Sequence, residues 1–502
     1  MTVEKWGVLE LSFSGKADGN PFKDYEISGR FVGGREDVTV GGFYDGDGVY
    51  KVRFMPSYDG EYSYTVSGSF CDEEYSGEFC VTPAKEGNHG PVKVANKYHF
   101  AYADGTPYFC VGTTCYVWNL QSDELIEKTL ASLKASPFNK IRFCVFPKHY
   151  DYNLHEPRSY PYIGTPVDSS GLTSETFWNY NNRSSGNNWN FERFNPKHFE
   201  HIEKCISALM DLGIEADIIL FHPYDRWGFS CMKPEHDDMY LKYVVARFSA
   251  FRNVWWSFAN EFDLMKDKSH EDWQRFASVV MENDKFDHLR SIHNCIGFYD
   301  HSEPWVTHCS LQRQDMYRTT EYTNEHRNKY GKPVVWDEIG YEGNIQHGWG
   351  NLPAVELLRR FWEAFCRGGY LGHGETYYSD DSILWWSHGG VLKGDAAPRC
   401  EFIAKIASEV PGGYLKFSQQ CWDAACGIPE DDEVYEKTGF RLIYLGLLQP
   451  CFKEYHYDNE NEYAVDVIDT WNMTVEHKGT FKGKIRIELP GKPFMAIRIY
   501  KV

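Results

Sequence analysis

The chain has 502 residues, of which 42 % are hydrophobic and 17 % aromatic, and its formal net charge at pH 7 is −20. This composition can fill a large core spread over about two to four domains. It disfavours a nucleic-acid partner, because such proteins need a basic footprint and no Lys/Arg run here exceeds two residues.

Targeting and redox signals point to a cytoplasmic protein. The N-terminal segment MTVEKWGVLELSF lacks the basic start and long apolar run of a signal peptide. No window of about 18 apolar residues occurs, so no membrane partner is expected. The 14 cysteines are spread singly without a CxxC pair, which predicts reduced thiols. Without clustered ligands, the sequence predicts no metal site and no cofactor.

The N-terminal part alternates apolar and polar residues between Gly and Asp turns, as in YKVRFMPSYDGEYSYTVSGSF (50–70). Short strands at this spacing predict an antiparallel β-sandwich over residues 1–88. The segment PAKEGNHGP (83–91) is a linker by its Pro and Gly content.

From residue 92 onwards, apolar strand-like runs alternate with helical periods. The strand candidates cover residues 107–119, 139–146, 214–225, 253–263, 289–295, 305–312, 332–342 and 370–378. Continuous apolar strands separated by helices predict a parallel sheet covered on its outer face. Eight such units predict an α/β fold, a (β/α)₈ TIM barrel over 92–412. An open doubly wound sheet is the alternative, but no glycine-rich phosphate loop follows the first strand.

Two segments interrupt or follow this pattern. A polar and aromatic insertion at 147–194 either walls the active-site pocket or packs on the N-terminal sandwich. Residues 413–502 return to short alternating strands, such as YAVDVIDT and GKIRIELP, and predict a small C-terminal β-domain.

Polar side chains collect at the carboxyl ends of the predicted barrel strands, where active sites of such barrels lie. The residues expected to bind substrate are Trp118, Arg142, His222, Asn260, His293, Gln312, Glu375 and Trp386. His222 and His293 could equally be core histidines, and Glu375 could form a structural ion pair.

Two carboxylates facing each other across a pocket suit cleavage of a glycosidic bond. One must stay protonated to donate to the leaving oxygen, and the other must be ionised to attack or to direct water. Glu261 follows the apolar run VWWSFA, which could raise its pKa, and a carboxylate near Arg142 would stay charged. We therefore assign Glu261 as acid/base and Glu338 as nucleophile. Either could be structural instead, and Asp337 competes with Glu338 for its role.

The motifs SFANEFD and WDEIGYEG resemble those on strands 4 and 7 of the large clan of retaining (β/α)₈-barrel glycosidases. The sandwich followed by VGTTCYVWN also resembles the apiosidase-like group of glycosidases. The resemblance implies that Asn260 contacts the sugar 2-hydroxyl, Arg142 supports the nucleophile, and Trp385 or Trp386 floors the sugar subsite. Many clan members place a Tyr after strand 6 against the nucleophile. Here HCSLQ suggests His308 or Gln312 instead.

The sequence therefore predicts a retaining glycoside hydrolase that acts by double displacement at the ends of oligosaccharides or short glycosides. Its expected partner is a carbohydrate substrate, and the oligomeric state stays open. One alternative is a catalytically inactive carbohydrate-binding barrel. Another is a metal-dependent barrel hydrolase, which would want a His-x-His pair where the first strand carries Trp118 and Asn119.

Overall fold

The computed structural model describes residues 1–152, 154–181, 185–422 and 424–502. Eight parallel strands form its central sheet: β1 (Val111–Thr114), β2 (Lys140–Cys144), β3 (Glu215–Phe221), β4 (Val254–Ala259), β5 (Arg290–Ser291), β6 (Cys309–Gln312), β7 (Val334–Glu338) and β8 (Tyr370–His373). Strands pair in chain order, β8 pairs with β1, and a single bridge between His293 and Ser310 joins the β5 and β6 segments. The predicted TIM barrel is confirmed.

Helices cover the outer face of this barrel. They are α1 (Asp123–Lys134), α2 (Pro196–Asp211), α3 (Pro234–Phe248), α4 (His270–Asn283), α5 (Thr323–Tyr330), α6 (Ala354–Cys366) and α7 (Ala396–Ser408). The Ser122 side chain accepts a hydrogen bond from the Leu125 amide and so caps α1. Residues 292–308, between β5 and β6, contain no helix, so the fifth unit is incomplete.

Side chains of β2 alternate between the helical layer and the barrel interior. Ile141 and Phe143 join the core beneath the helices, whereas Lys140 points inward. The Lys140 Nζ lies 2.6 Å from Asp217 on β3 and 2.8 Å from Asp337 on β7. Burying these charges is tolerable because each has an opposite partner. The barrel interior around Lys140 therefore contains a buried network of ion pairs.

A small sheet closes the amino end of the barrel. It consists of Val92–Ala95, His99–Tyr102 and Pro107–Tyr108. The ring of Phe100 lies 5.2 Å from Trp255 of β4 and 5.1 Å from Tyr370 of β8. Aromatic packing thus fills the amino end of the barrel, opposite the carboxyl ends of the strands, where active sites of such barrels lie.

The N-terminal region is a two-sheet β-sandwich. One sheet has the spatial order Thr2–Glu4, Tyr75–Thr82, Gly60–Ser67, Ser28–Gly33 and Glu36–Gly41, and the other has Leu9–Ser14, Val49–Phe54 and Phe43–Gly46. Arg53 anchors the sandwich to the barrel, because its Nη2 donates to Glu203 of α2 at 2.9 Å and its Nη1 to the carbonyl oxygen of Arg247 on α3 at 2.6 Å.

The C-terminal region is a six-stranded antiparallel sheet with a separate strand pair. The sheet order is Leu415–Phe417, Ala425–Pro429, Arg441–Tyr444, Met495–Lys501, Tyr463–Asp469 and Thr474–Phe481, and Phe452–His456 pairs with Lys484–Glu488. Trp362 of α6 stacks on Tyr444, with ring centroids 5.7 Å apart, and joins this sheet to the barrel. The flanking β-domains are thus present, and the boundaries 1–88, 92–412 and 413–502 stay a prediction.

Shorter helices lie at Pro21–Asp24, Trp385–His388 and Asp432–Thr438. Among the described residues, no helix combines the length and the apolar character needed to cross a membrane.

Candidate active site

A cavity of about 180 Å³ opens at the carboxyl ends of the barrel strands. Its lining residues are Tyr116, Lys148, Tyr150, Tyr224, Glu261, Cys295, Gln314, Glu338, Gly340, Tyr341, Trp349 and Trp386. The lining combines aromatic faces with two carboxylates and one amine. Glu261 and Glu338, the carboxylates singled out from the sequence, thus lie in one pocket.

Glu261 lies two residues beyond β4 and occupies a strained backbone conformation. Its φ of 53° and ψ of 60° fall in the left-handed region, which residues other than glycine rarely adopt. Such backbone strain persists only where contacts with the surrounding structure impose it, and it is often found at functional sites. The backbone amides on both sides of Glu261 are fixed, because Asn260 donates to the Phe221 carbonyl at 3.0 Å and Phe262 donates to the His293 carbonyl at 2.9 Å.

The Glu261 carboxyl group is buried and lies close to a second negative charge. The Tyr224 hydroxyl donates to its Oε2, and Asn260 Nδ2 lies 3.4 Å from the same oxygen. Burial, with the negative charge of Glu338 nearby, raises the pKa of Glu261 from 4.5 to about 7. A carboxyl group with such a pKa can hold a proton at neutral pH and release it.

Glu338 ends β7 and has a different environment. Arg142 Nη1 donates to Glu338 Oε1 at 3.1 Å, and the Tyr116 hydroxyl donates to the same oxygen. His293 Nε2 lies 3.7 Å from this oxygen. A permanent cation and a phenol donor complement the negative charge of a carboxylate and fix its orientation.

Tyr116, two residues beyond β1, connects the two halves of the site. Its hydroxyl, which donates to Glu338, also lies 3.0 Å from Asn260 Oδ1, and Arg142 Nη2 lies 3.4 Å from that amide oxygen. A tyrosine against the candidate nucleophile was expected to be replaced by His308 or Gln312 of the sixth strand. The tyrosine is instead Tyr116 from the loop after β1, whereas Trp118 was the residue predicted from that strand end.

Lys148 is a second feature that the sequence analysis missed. Its Nζ lies 3.4 Å from the ring centroid of Tyr116, 4.3 Å from that of Tyr224 and 5.0 Å from that of Trp386. Burial lowers the pKa of Lys148 from 10.5 to about 8. An ammonium group over these rings is stabilised by their π-electrons. It thereby holds together the two tyrosines that contact the carboxylates.

Four of the residues expected to bind substrate lie in or directly beneath the cavity. Trp386 lines it, in edge-to-face contact with Tyr116 at 5.7 Å. Arg142, Asn260 and His293 contact the carboxylates rather than the open space. They are therefore placed to orient the reacting groups.

His222 and Gln312 are buried next to this site without lining its cavity. His222 Nε2 lies 3.3 Å from the Phe146 carbonyl oxygen, and burial lowers its pKa to about 3. Gln312 Nε2 donates to the Cys295 sulfur at 3.9 Å. The pairing of β6 with β7 shifts register between Leu311 and Gln312, a local irregularity that the sequence pattern does not show. Gln314 reaches the cavity instead.

Trp118 and Glu375 do not fit the expectation that they bind substrate. Trp118 lies in a short 3₁₀ turn, Trp118–Leu120, and is fully buried against Phe143 at 5.8 Å. Glu375 accepts hydrogen bonds from the amides of Lys393 and Gly394, just before α7. These bonds satisfy backbone amides in the segment that leads into α7, which gives this carboxylate a structural role.

Glu375 also forms a buried group with Glu342 and His373, whose candidate metal-ligand atoms lie within 4.8 Å of one another. The Glu342 carboxylate accepts from the amides of Asp395 and Ala396 at 2.8 and 2.9 Å. Protein donors thus engage both carboxylates at the start of α7. The group is explained as a helix anchor and does not point to a metal ion.

The insertion after β2 both walls the cavity and packs on the N-terminal sandwich. Tyr150 lines the cavity, so its first residues form part of the wall. Farther along, strands Tyr162–Thr165 and Asn188–Phe194 pair, and Glu192 forms an ion pair with Lys23 of the N-terminal sandwich at 2.5 Å.

Replacing Glu261 by Gln should change how stability depends on pH. The pKa of Glu261 is raised in the folded state, so folding binds a proton between pH 4.5 and about 7, and stability is lost as the pH rises through this window. The Glu261→Gln variant cannot ionise. Between pH 5 and pH 8 its free energy of unfolding, measured in urea, should therefore gain about 3 kcal/mol relative to the unmodified protein.

The matched control is Glu401→Gln, which changes an exposed carboxylate on α7. Its free energy of unfolding should stay within about 0.5 kcal/mol of the unmodified protein at both pH values. An equal effect of Glu261→Gln at pH 5 and pH 8 would contradict the raised pKa.

Comparison with known proteins assigns this architecture to a family. The family model described as the apiosidase-like catalytic domain matches residues 94–417. Two models described as domains of unknown function, DUF5060 and DUF5605, match residues 2–69 and 422–500. No curated protein gives a significant match.

Solved structures give the same result. A Bacteroides vulgatus protein named as a candidate glycoside hydrolase is 36 % identical over 100 % of both chains, with a TM-score of 0.90. A family 5 glycoside hydrolase from the same species shares the fold, with 15 % identity, 82 % coverage of this chain, 93 % of that chain and a TM-score of 0.59. The family model covers most of the chain, and the full-length likeness agrees with it: the chain belongs to the apiosidase-like family and is a glycosidase.

Proposed function

We propose that the protein hydrolyses glycosidic bonds with retention of anomeric configuration, with Glu261 as acid/base and Glu338 as nucleophile. The observation that supports this assignment is the contrast between two carboxylates in one cavity. Glu261 is buried beneath a phenol with its pKa raised, whereas Glu338 is held by a guanidinium group and a phenol. Retaining glycosidases need this division between a proton donor and an anion.

In the proposed first step, Glu338 attacks the anomeric carbon while Glu261 gives its proton to the leaving oxygen. The glycosidic bond breaks, and a covalent glycosyl-enzyme forms on Glu338. In the second step, Glu261 takes a proton from water, the water oxygen attacks the anomeric carbon, and Glu338 leaves as a carboxylate. Arg142 and Tyr116 stabilise Glu338 whenever it is anionic.

Asn260, Trp386 and His293 complete the proposed site. Asn260 is oriented by Tyr116 and Arg142, and in this proposal its amide contacts the sugar 2-hydroxyl. Trp386 offers its ring as a floor for the sugar. His293 is buried below Glu338, and burial lowers its pKa, so it acts as a neutral neighbour of the nucleophile.

The proposed substrates are oligosaccharides or short glycosides cleaved from their ends. The cavity of about 180 Å³ is small, and Tyr150 and Trp349 wall it, which suits a single terminal sugar. The family description suggests an apioside as one candidate. A cytoplasmic location stays a prediction from the sequence, and such an enzyme would act on imported short glycosides.

Replacing Glu338 by Gln should remove catalysis. With no anion to attack the anomeric carbon, kcat/KM should fall on the order of 10⁴-fold or more. A panel of 4-nitrophenyl glycosides that includes an apioside measures this. The first product, followed by ¹H NMR, should have the substrate's anomeric configuration.

The Glu401→Gln variant provides the control and should keep full activity, because its carboxylate lies on the surface of α7. An inverted first product would contradict double displacement. Failure of the unmodified protein to hydrolyse any glycoside of the panel would favour the inactive carbohydrate-binding barrel.

Replacing Lys148 by Met should move the alkaline limb of the kcat/KM profile to higher pH. Glu261 donates its proton only while protonated, so this limb follows its pKa, which the nearby ammonium group lowers. Without that charge the limb should shift upward by about one pH unit. Arg142, Glu338 and Cys144 also act on Lys148 and are unchanged in the variant.

The Lys148→Arg variant keeps a positive charge and should keep the limb in place. A lower kcat/KM with an unchanged limb in Lys148→Met would show that Lys148 only supports packing.

A further inference from the structure

We propose that a row of aromatic rings leading out of the cavity binds the sugar units that follow the terminal one. The aromatic row consists of Trp386, Trp349, His347, Tyr152 and Tyr378. The proposal rests on the proposed function and adds a second binding site for neutral saccharide.

The rings form a continuous series from the cavity outward. The centroid of Trp349 lies 5.0 Å from that of Trp386, and His347 stacks on Trp349 at 5.6 Å with an angle of 11° between the ring planes. Tyr152 lies 6.4 Å from His347 and 6.4 Å from Tyr378. Each ring therefore touches the next, without a gap.

The outer end of the aromatic row is more exposed than its inner end. Trp386 is 3 % exposed in the cavity, the His347 side chain is 33 % exposed, and Tyr378 is 54 % exposed at the outer end. The outer rings therefore keep part of their surface in solvent, where a ligand can reach them. A strip that begins at the reacting centre and ends in solvent suits a chain that extends from the cavity.

Three loops at the catalytic end build the aromatic row. Tyr152 follows β2, His347 and Trp349 follow β7, and Tyr378 follows β8. His347 Nε2 lies 3.1 Å from Asp151 Oδ2, which ties the first loop to the second. The Tyr378 amide donates to Asn344 Oδ1 at 2.7 Å, which ties the third to the second. The loops thus hold the rings in place before a ligand arrives, which lowers the cost of binding.

The chemistry of the row matches saccharide. Tyr, Trp and His present flat apolar faces with polar edges, so they can contact the C–H face of a sugar ring while its hydroxyls stay in water or bind those edges. Trp386 and Trp349 also line the cavity that holds both carboxylates, so the row continues directly from the candidate active site.

The test compares a short and a long substrate in the Tyr378→Ala variant and in a variant that also carries Tyr152→Ala. Neither residue lines the cavity. The short probe is the 4-nitrophenyl glycoside that the unmodified enzyme cleaves fastest, and the long probe is a trisaccharide with the same terminal sugar. Loss of one ring contact should lower kcat/KM on the trisaccharide about 3- to 10-fold. Activity on the short probe should stay within about twofold.

The control variant is Tyr58→Ala, which removes a 37 % exposed tyrosine from the N-terminal sandwich and should affect neither probe. Equal losses on both probes would show that the rings only brace the cavity, and unchanged kcat/KM on both would show that they bind nothing. Either result would overturn the proposal that the aromatic row binds sugar units, while leaving the proposed function intact. Absence of hydrolysis by the unmodified enzyme would instead overturn the proposed function and this proposal with it.

Discussion

The ion network inside the barrel positions the whole site. Lys140 bridges Asp217 and Asp337, and two residues further along β2, Arg142 bonds to Glu338. Lys140 and Arg142 hold the pKa of Asp337 well below its ordinary value, so this residue is a buried anion with a structural partner. Asp337 therefore supports the barrel, and Glu338 beside it faces the cavity. Removing one member of such a network leaves a charge buried without its partner.

Different surroundings give the two carboxylates different chemistry. Burial and a nearby negative charge keep a proton on Glu261, whereas Glu338 receives donors from Arg142 and Tyr116. Lys148 lies over the rings of both tyrosines that touch these carboxylates. A change at this amine would therefore affect both tyrosines and, through them, both carboxylates. The aromatic row extends the same pocket outward, so reaction and recognition share one set of loops.

The carboxyl ends of the barrel strands could be predicted from the sequence, because long apolar runs stop there at polar residues. These strand ends predicted the barrel and placed Glu261, Glu338, Arg142 and Asn260 together at one end of it. The contacts of Tyr116, Tyr224 and Lys148 were not predicted, because they form only when loops from different strands fold back over the cavity. Trp118 and Glu375 were expected to bind substrate, but the turn after β1 buries Trp118, and backbone amides just before α7 donate to Glu375. Such contacts between distant segments produce no local pattern in the sequence.

The most direct test is to trap the proposed glycosyl-enzyme. A 2,4-dinitrophenyl 2-deoxy-2-fluoro glycoside of the best-cleaved sugar slows the second step, so the covalent intermediate accumulates for mass spectrometry of the digested protein. We expect one added fluorosugar on the peptide that contains Glu338, and none in the Glu338→Gln variant. A label on another residue, or no adduct with a sugar that the enzyme turns over, would contradict the assignment of Glu338 as nucleophile.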